Sequence, residues 1–579
     1  MFEIFVNKSN IRGFSIRTVR KDAACETAAA ALTKYLQPAS SSDPGEILIG
    51  YAEDFSGFSD RLAQMTEESL AVTVSGRTVV IAGGGPRGVI YAAYEFLERF
   101  CGWRFFTGDA ETAPEGCVTI RDGEYVFTPR FDKRMILLPA YWNHDLIQKR
   151  HINSVWGAEP LPAEIGGSIY YAASNAHTMR DLLPAGEFFE AHPEYFAMNE
   201  NGERVRNDQE GTSPCLTNPD VFDIVLDRTL RILRKNPKAK FISISQNDGR
   251  DFCHCPACLR VNEEEQTDGG TVFRFVNRIA RAIREEFPNV LVDTLPYNYS
   301  TKPPVRTVLE DNVSIHLCLM ETCREHSILD ESCPYNEKVR EYFKGWAAVC
   351  KNIYLWDYAA NFKVYPVCIP NFKLLYQNMQ EYIRFPVKGI MYQDAHTTDP
   401  DIEFGQLWGY LQAKLLWEPE ADYATYLGWA KEFMKAYYGD GWEYLYDYLF
   451  LLAQQPSSDY HYGPYATCEQ LIPMLTKADG DPDTGFIRDA NALFDLAEKK
   501  SKGVQLEHVL RTRLHVLYYE LCTTYDHIRK NGTEEEISAL RDKYLFFHTA
   551  VYGWEHFQIR EGGPSWYHSE FDFDKHPAD

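Results

Sequence analysis

The sequence predicts an α/β protein built on a (β/α)8 TIM barrel, with a small α/β domain before it and a helical domain after it. Three observations predict this. From Phe131 onward, short apolar segments alternate with amphipathic helical stretches, the rhythm of parallel strands joined by crossovers. Eight such segments follow one another over roughly 290 residues, about the size of one enlarged barrel. After Glu403 the pattern is helical. A doubly wound sheet is the alternative, but the count of eight and the polar, aromatic segment ends favour the barrel. The domain boundaries read as 1–125, 126–420 and 421–579.

Each element has its own signal. In the first domain, EILIGY at 46–51 reads as a strand. LAVTV at 70–74 and TVVI at 78–81 flank Gly76-Arg77 and read as a hairpin. Pro86 to Cys101 places Val89, Ala92, Ala93, Phe96, Leu97 and Phe100 on one face of a helix. The turn before it, Gly83-Gly84-Gly85-Pro86-Arg87-Gly88, satisfies the G-x-G-x-x-G of dinucleotide sites. A hairpin strand precedes it and a Gly- and Pro-punctuated loop follows, so it reads as a tight strand-to-helix turn. The barrel strands are expected at Arg134–Leu138, Ile152–Trp156, Ser168–Ala172, Phe241–Ser245, Val290–Leu295, Val313–Leu319, Ile353–Trp356 and Gly389–Tyr392. Helices are expected at Asp220–Arg234, Thr271–Glu286, Asn336–Cys350, Asn371–Arg384 and Phe404–Trp417. The last domain should hold helices at Tyr423–Tyr438, Tyr444–Ala453, Cys468–Thr476, Gly485–Lys500, Gln505–Arg529 and Glu534–Tyr552, then a loose tail from Gly562.

Composition narrows the function. The chain has 579 residues and a formal charge of −24, which argues against nucleic acid and anionic membranes as partners. No segment has the length of a transmembrane helix. MFEIFVNKSN carries no basic-then-apolar leader, so a cytoplasmic location is expected, although a chain already trimmed of its leader would read the same. Fourteen scattered cysteines suit reduced thiols better than a disulfide framework. Cys253-His254-Cys255-Pro256-Ala257-Cys258 stands apart. C-x-C-x-x-C places three thiolates within reach of one soft cation, with His254, Cys215, Cys318, Cys323 or Cys333 as a fourth ligand. A structural zinc, and against it a loop of reduced thiols or one disulfide, are about equally expected. No cofactor is expected for catalysis.

Barrel active sites lie at the C-terminal ends of the strands. Those ends carry Asn175-Ala176-His177, Gln246-Asn247-Asp248, Tyr297-Asn298, Glu321, Trp356-Asp357-Tyr358 and Tyr392-Gln393-Asp394. Acids, amides and aromatic faces suit a pyranose, and no basic cluster is present for phosphate. Glycoside hydrolysis needs two carboxyl-type functions, or one carboxyl if the sugar's 2-acetamido group serves as nucleophile. Asn247-Asp248 fits the second arrangement: an amide to hold the acetamide beside an acid to donate a proton. The reverse order, with Asp248 orienting and Glu321 donating, is equally open, and Asn-Asp-Gly is also turn chemistry.

Several segments resemble known families. GGGPRGVIYAAYEFLERFCGWRFFTGD at 83–109 is similar to the domain that precedes the barrel in family 67 α-glucuronidases and family 20 β-hexosaminidases. SISQNDGRDFCHCPACLRVNEEE at 243–265, HPEYFAMNENGERV at 192–205, PCLTNPDV at 214–221, YLWDYAANF at 354–362 and LQAKLLWEP at 411–419 resemble a bacterial family long described as a domain of unknown function. That family resembles glycoside hydrolase family 163, with endo-β-N-acetylglucosaminidase activity on N-glycans. The resemblance covers roughly residues 40 to 440. It implies a retaining, substrate-assisted β-N-acetylglucosaminidase, with Asp248, Asn247 and Glu321 as catalytic residues. His177, Tyr297, Trp356, Asp357, Tyr358, Gln393 and Asp394 would then bind the carbohydrate. An α-glucuronidase-like inverting hydrolase using His177 and Arg250, and a non-catalytic glycan-binding barrel, are the alternatives. The sequence leaves a homo-oligomer open.

Overall fold

The computed structural model describes residues 3–6, 9–11, 13–36, 45–58, 64–156, 160–206, 213–369, 372–396, 401–453, 461–466 and 482–552. The expected helix at 468–476 and the expected tail from 562 lie outside the described residues.

The first sheet has five strands: β1 (Phe14–Thr18), β2 (Gly45–Tyr51), β3 (Leu70–Ser75), β4 (Thr78–Gly83) and β5 (Gly123–Phe127). Their order is β5-β3-β4-β2-β1. β3 and β4 form the expected antiparallel hairpin, and β4 pairs β2 in parallel. The hairpin turn has two residues, and its first, Gly76, sits at φ +61°, where a side chain would strain the backbone. Past β4 the glycines serve close approach. A Cβ on Gly84 would stand 2.0 Å from the Thr66 carbonyl oxygen, and one on Gly88 2.4 Å from that of Ser69. The helix Pro86–Glu95 is thereby pressed against residues 66–69. It runs on into one π-helical turn at Phe96–Phe100.

That approach creates a buried ion cluster. Glu68 accepts from Arg87 Nε at 2.7 Å, from Arg134 Nη1 at 2.8 Å and from Asn153 Nδ2 at 2.8 Å. Arg134 is wholly buried and belongs to the next sheet. Burial alone would raise the Glu68 carboxyl's pKa, but Arg134 and Arg87 outweigh it and hold the group below its ordinary range.

The second sheet corrects the expected fold. Six strands form it: β6 (Lys133–Leu137), β7 (Phe241–Ser243), β8 (Leu291–Thr294), β9 (Val313–Cys318), β10 (Asn352–Tyr358) and β11 (Val387–Gln393). All pairings are parallel, in the order β6-β11-β10-β9-β8-β7. This is a half-barrel, not a closed (β/α)8 barrel. The expected strands at 152–156 and 168–172 do not form ladders. Single backbone bonds link Asn153 to Arg134 and Ile169 to Asn153, and the second segment makes only an isolated parallel bridge, Tyr171 to Phe241, beside β7. Two physical causes are visible. The Asn153 side chain accepts the Arg134 amide at 2.8 Å, taking a donor that a neighbouring strand would need. Pro160 and Pro162 lack amide donors, and Gly166 and Gly167 turn the chain at φ +85° and +68°.

The crossover helices follow their sequence signals. Pro219–Lys235 starts on an Asn218 cap that accepts the Asp220 amide and buries Val221, Val225, Thr229 and Leu233 at four-residue spacing. Helices at Gly270–Ile283, Pro334–Val349, Phe372–Tyr382 and Gly405–Trp417 complete the layer. Beyond them lie Tyr423–Tyr438, Trp442–Ala453, Gly485–Lys500, Val504–Thr512, Leu514–Asn531 and Glu534–Tyr552. The single helix expected at 505–529 is thus two, broken at Arg513. One apolar core runs without interruption from Phe106 to Val551. No described helix is long and apolar enough to cross a membrane.

Replacing Glu68 by Gln should lower the unfolding free energy by about 3–5 kcal/mol, because two guanidinium groups then lie buried without their shared counter-charge. Glu68 is held low in the fold, so its contribution is complete above the unfolded carboxyl pKa of about 4.3 and is lost as pH falls through the folded value. Urea denaturation of both proteins should therefore show a gap that is constant at neutral pH and narrows only as pH falls below about 4.3. A gap independent of pH would refute the assignment.

Candidate functional site

The C-terminal ends of the six parallel strands open on one cavity of about 440 Å³. Leu137 comes from β6, Leu295 and Tyr297 from beyond β8, Cys318 and Met320 from the end of β9, Trp356 and Tyr358 from β10, and Gln393 from β11. Asp248 projects from the loop after β7. His177, Arg180, Trp156, His396 and Tyr465 complete the wall. A second cavity, of about 820 Å³, shares Tyr297, Met320 and Tyr465 with it and adds Arg250 and Glu321.

Strand geometry decides which predicted residues face this space. Side chains alternate across a strand, so Trp356 and Tyr358 share the cavity face and stack at 6.1 Å. Trp356 Nε1 donates to Gln393 Oε1 at 2.8 Å, which fixes both side chains. Trp156, 44% exposed, meets the Trp356 ring edge-on at 5.4 Å. Asp357 lies on the opposite face. It is buried and accepts from Arg324 Nη1 at 2.8 Å and from the Tyr382 hydroxyl at 2.7 Å. Asp394 is likewise turned away and accepts from Gln412 Nε2 at 2.6 Å. Neither lines the strand-end cavity.

The loop after β7 is held by its neighbours. Gln246 donates from Nε2 to the Tyr297 carbonyl at 2.9 Å and also bonds the Ser300 hydroxyl. Its own carbonyl accepts from His177 Nδ1 at 3.0 Å, which leaves Nε2 as that ring's acceptor nitrogen. His177 occupies a left-handed conformation, φ +55°. Asn247 is buried, and its Oδ1 accepts the Arg180 amide at 2.8 Å. Its carbonyl oxygen is thereby engaged in the scaffold. Asp248 next to it is exposed at the cavity. Burial, and after it the nearby Asp248 charge, raises the Tyr297 hydroxyl's pKa, so Tyr297 stays protonated. Glu321 is exposed, pairs with Lys338 at 2.8 Å and lines the outer cavity and a neighbouring one of about 580 Å³, not the strand-end cavity.

The residues that sequence reasoning missed are Arg180, Trp156, Met320, Cys318 and Tyr465. Arg180 stands three residues after His177, and that proximity was a usable signal. Tyr465 comes from a distant segment and had none.

The cysteine motif closes on a fourth thiol. Cys215 Sγ lies 3.7 Å from Cys255 Sγ and 3.8 Å from Cys258 Sγ, and the four sulfurs of Cys215, Cys253, Cys255 and Cys258 lie within 4.8 Å of one another. His254 is not among them; it stacks on Phe252 at 4.6 Å. Hydrogen bonds from Cys253 and Cys258 push the Cys215 thiol's pKa well down, and the Met198 amide donates to Cys253 Sγ at 3.4 Å. All described cysteines are free of disulfides.

Comparison with known proteins places the chain. A solved family GH115 4-O-methyl-α-glucuronidase with specificity for decorated arabinogalactans aligns over 100% of this chain and 80% of its own, with a TM-score of 0.53 and 10% identity. At that identity the likeness is one of fold. A GH138 enzyme targeting pectin rhamnogalacturonan II aligns over 93% of this chain and 73% of its own, with a TM-score of 0.41 and 8% identity. No curated protein matches the sequence. Residues 105–449, more than half of the chain, match the family described as domain of unknown function DUF4838. The chain belongs to the DUF4838 family.

Proposed function

We propose that the protein is a glycoside hydrolase whose strand-end cavity holds a 2-acetamido sugar and whose Asp248 is the general acid/base. One observation carries this reading. Among the described residues the cavity contains one carboxylate, Asp248, inside a wall of Trp156, Tyr297, Trp356 and Tyr358. A lone acid suits substrate assistance, in which the acetamide replaces the second carboxyl group as nucleophile. Tyr297 stands in the wall beside Asp248, close enough for the Asp248 charge to raise its hydroxyl's pKa. Asn247 positions the turn that carries His177 and Arg180, and does not grip the acetamide through the oxygen that Arg180 already occupies. Glu321 and Arg250 line the adjoining cavity, where further sugar units of a glycan would lie. The resemblance to family 163 supports the β-N-acetylglucosaminide as substrate. The Cys215, Cys253, Cys255 and Cys258 cluster is proposed to hold a structural zinc, since four thiolates leave no open position for chemistry.

A second reading is favoured by Arg180 and His177 on the cavity wall. A guanidinium beside an imidazole suits the carboxylate of a uronic acid, and the GH115 structure named above is an α-glucuronidase.

Asp248→Asn should cut turnover of nitrophenyl β-N-acetylglucosaminide or an N-glycan by about 10²–10⁴-fold with an unchanged melting curve. A thiazoline analogue of the oxazolinium intermediate should inhibit the wild type. Hydrolysis of an aryl α-glucuronide alone would establish the second reading, and sugar binding without hydrolysis of any activated glycoside would reduce the protein to a binder. Asp357→Asn supplies the contrast. It should lower unfolding free energy by roughly 3–5 kcal/mol, because Arg324 loses its buried partner, and leave KM of the folded fraction unchanged. A raised KM with intact stability would return Asp357 to the substrate site.

A further inference from the structure

A second group of soft ligands lies beyond the end of β9. Cys323, His326, Cys333 and His461 each present one ligand atom, and these atoms all lie within 4.8 Å of one another. His326 Nδ1 stands 3.4 Å from Cys323 Sγ. His461 Nδ1 stands 3.6 Å from Cys323 Sγ and 3.7 Å from Cys333 Sγ. Zinc bonds of about 2.3 Å to sulfur and about 2.0–2.1 Å to nitrogen, set tetrahedrally, give sulfur–nitrogen edges of about 3.5 Å. The observed separations have that size. A hydrogen bond would draw the His461 nitrogen toward one sulfur; instead it is nearly equidistant from two. The Glu325 amide also donates to Cys323 Sγ at 3.4 Å. Both cysteines are buried and both histidines half-buried.

We propose that Cys323, His326, Cys333 and His461 bind one zinc ion in a closed, structural Cys₂His₂ site, separate from the four-thiol cluster. Three of the ligands come from one loop and the fourth from 128 residues beyond Cys333. The ion therefore ties the loop bearing Met320 and Glu321 to the segment 461–466. That segment already receives the Arg324 amide at Tyr462 and the Phe362 amide at Pro464, and it delivers Tyr465 to the cavity wall. His461 lines the outer cavity, and none of the four ligands lines the strand-end cavity. It rests on ligand geometry alone, so it stands or falls independently of the glycosidase reading.

Metal analysis of the purified full chain by plasma mass spectrometry tests it. The expected content is about two zinc ions per chain, with zinc-edge absorption averaging about three sulfurs and one nitrogen per ion, as one four-thiol and one mixed site require. His461→Asn should halve the zinc and shift the remaining signal to sulfur alone, while Cys258→Ser should halve it and leave the mixed signal. If either variant fails to fold, the wild-type count and ligand average decide. No zinc in the wild type, an all-sulfur spectrum, or a zinc content untouched by His461→Asn would overturn the site, whereas one zinc with two sulfurs and two nitrogens would leave it standing and empty the four-thiol cluster.

Discussion

The structure hangs on the carboxylate of Glu68. Three elements meet at it: the segment before β3, the helix after the glycine turn through Arg87, and β6 through Arg134. A buried carboxylate between two buried guanidiniums tolerates little displacement, because each charge is without water and depends on the others. The glycines at 84 and 88 are the precondition, since any side chain there would hold the helix off. Asn153 joins the same cluster and also takes the Arg134 backbone amide. One set of interactions thus anchors the first sheet to the second and interrupts strand pairing beside β6.

The cleft follows from this arrangement and from strand alternation. On the inner face β10 contributes the aromatic rings of Trp356 and Tyr358 and β11 the amide of Gln393. The acids on the outer face, Asp357 and Asp394, are satisfied by Arg324, Tyr382 and Gln412. Beneath the mouth the half-barrel is polar: Lys133 meets His316 at 2.8 Å, and His316 and Tyr171 both bond Asp293. Burial pulls the Lys133 ammonium down to about 8, a cost accepted inside a network in which each group has a partner.

Much of this was legible in the residues. Six strands and most described helices lie within a few positions of their sequence signals, because apolar runs and four-residue spacings report burial directly. The failures are physical. Ile152–Trp156 has strand-like residues, but pairing there is decided by a side-chain amide, which no periodicity reports. Arg513 ends one helix and begins another without a proline or glycine to announce it. At the site, His177, Asp248, Tyr297, Trp356, Tyr358 and Gln393 do converge. Asp357 does not, and the two-residue period of a strand already forbade Trp356, Asp357 and Tyr358 from facing one way. Cys215 was one of five candidates for the fourth ligand and only the fold selects it; His461 and Tyr465 were invisible as neighbours because only the fold brings them near.

Tyr465 gives the cleft a history as well as a shape. The chain emerges from its N-terminus, so the six strands and Asp248 are made before residue 465 exists. Until the ribosome has passed that point, the hollow at the strand ends lacks a wall, and Phe362 and Arg324 wait for the carbonyls of Pro464 and Tyr462. Tyr465 is the last of the pocket's lining residues to be synthesised, which makes a finished site a report that translation has run at least that far.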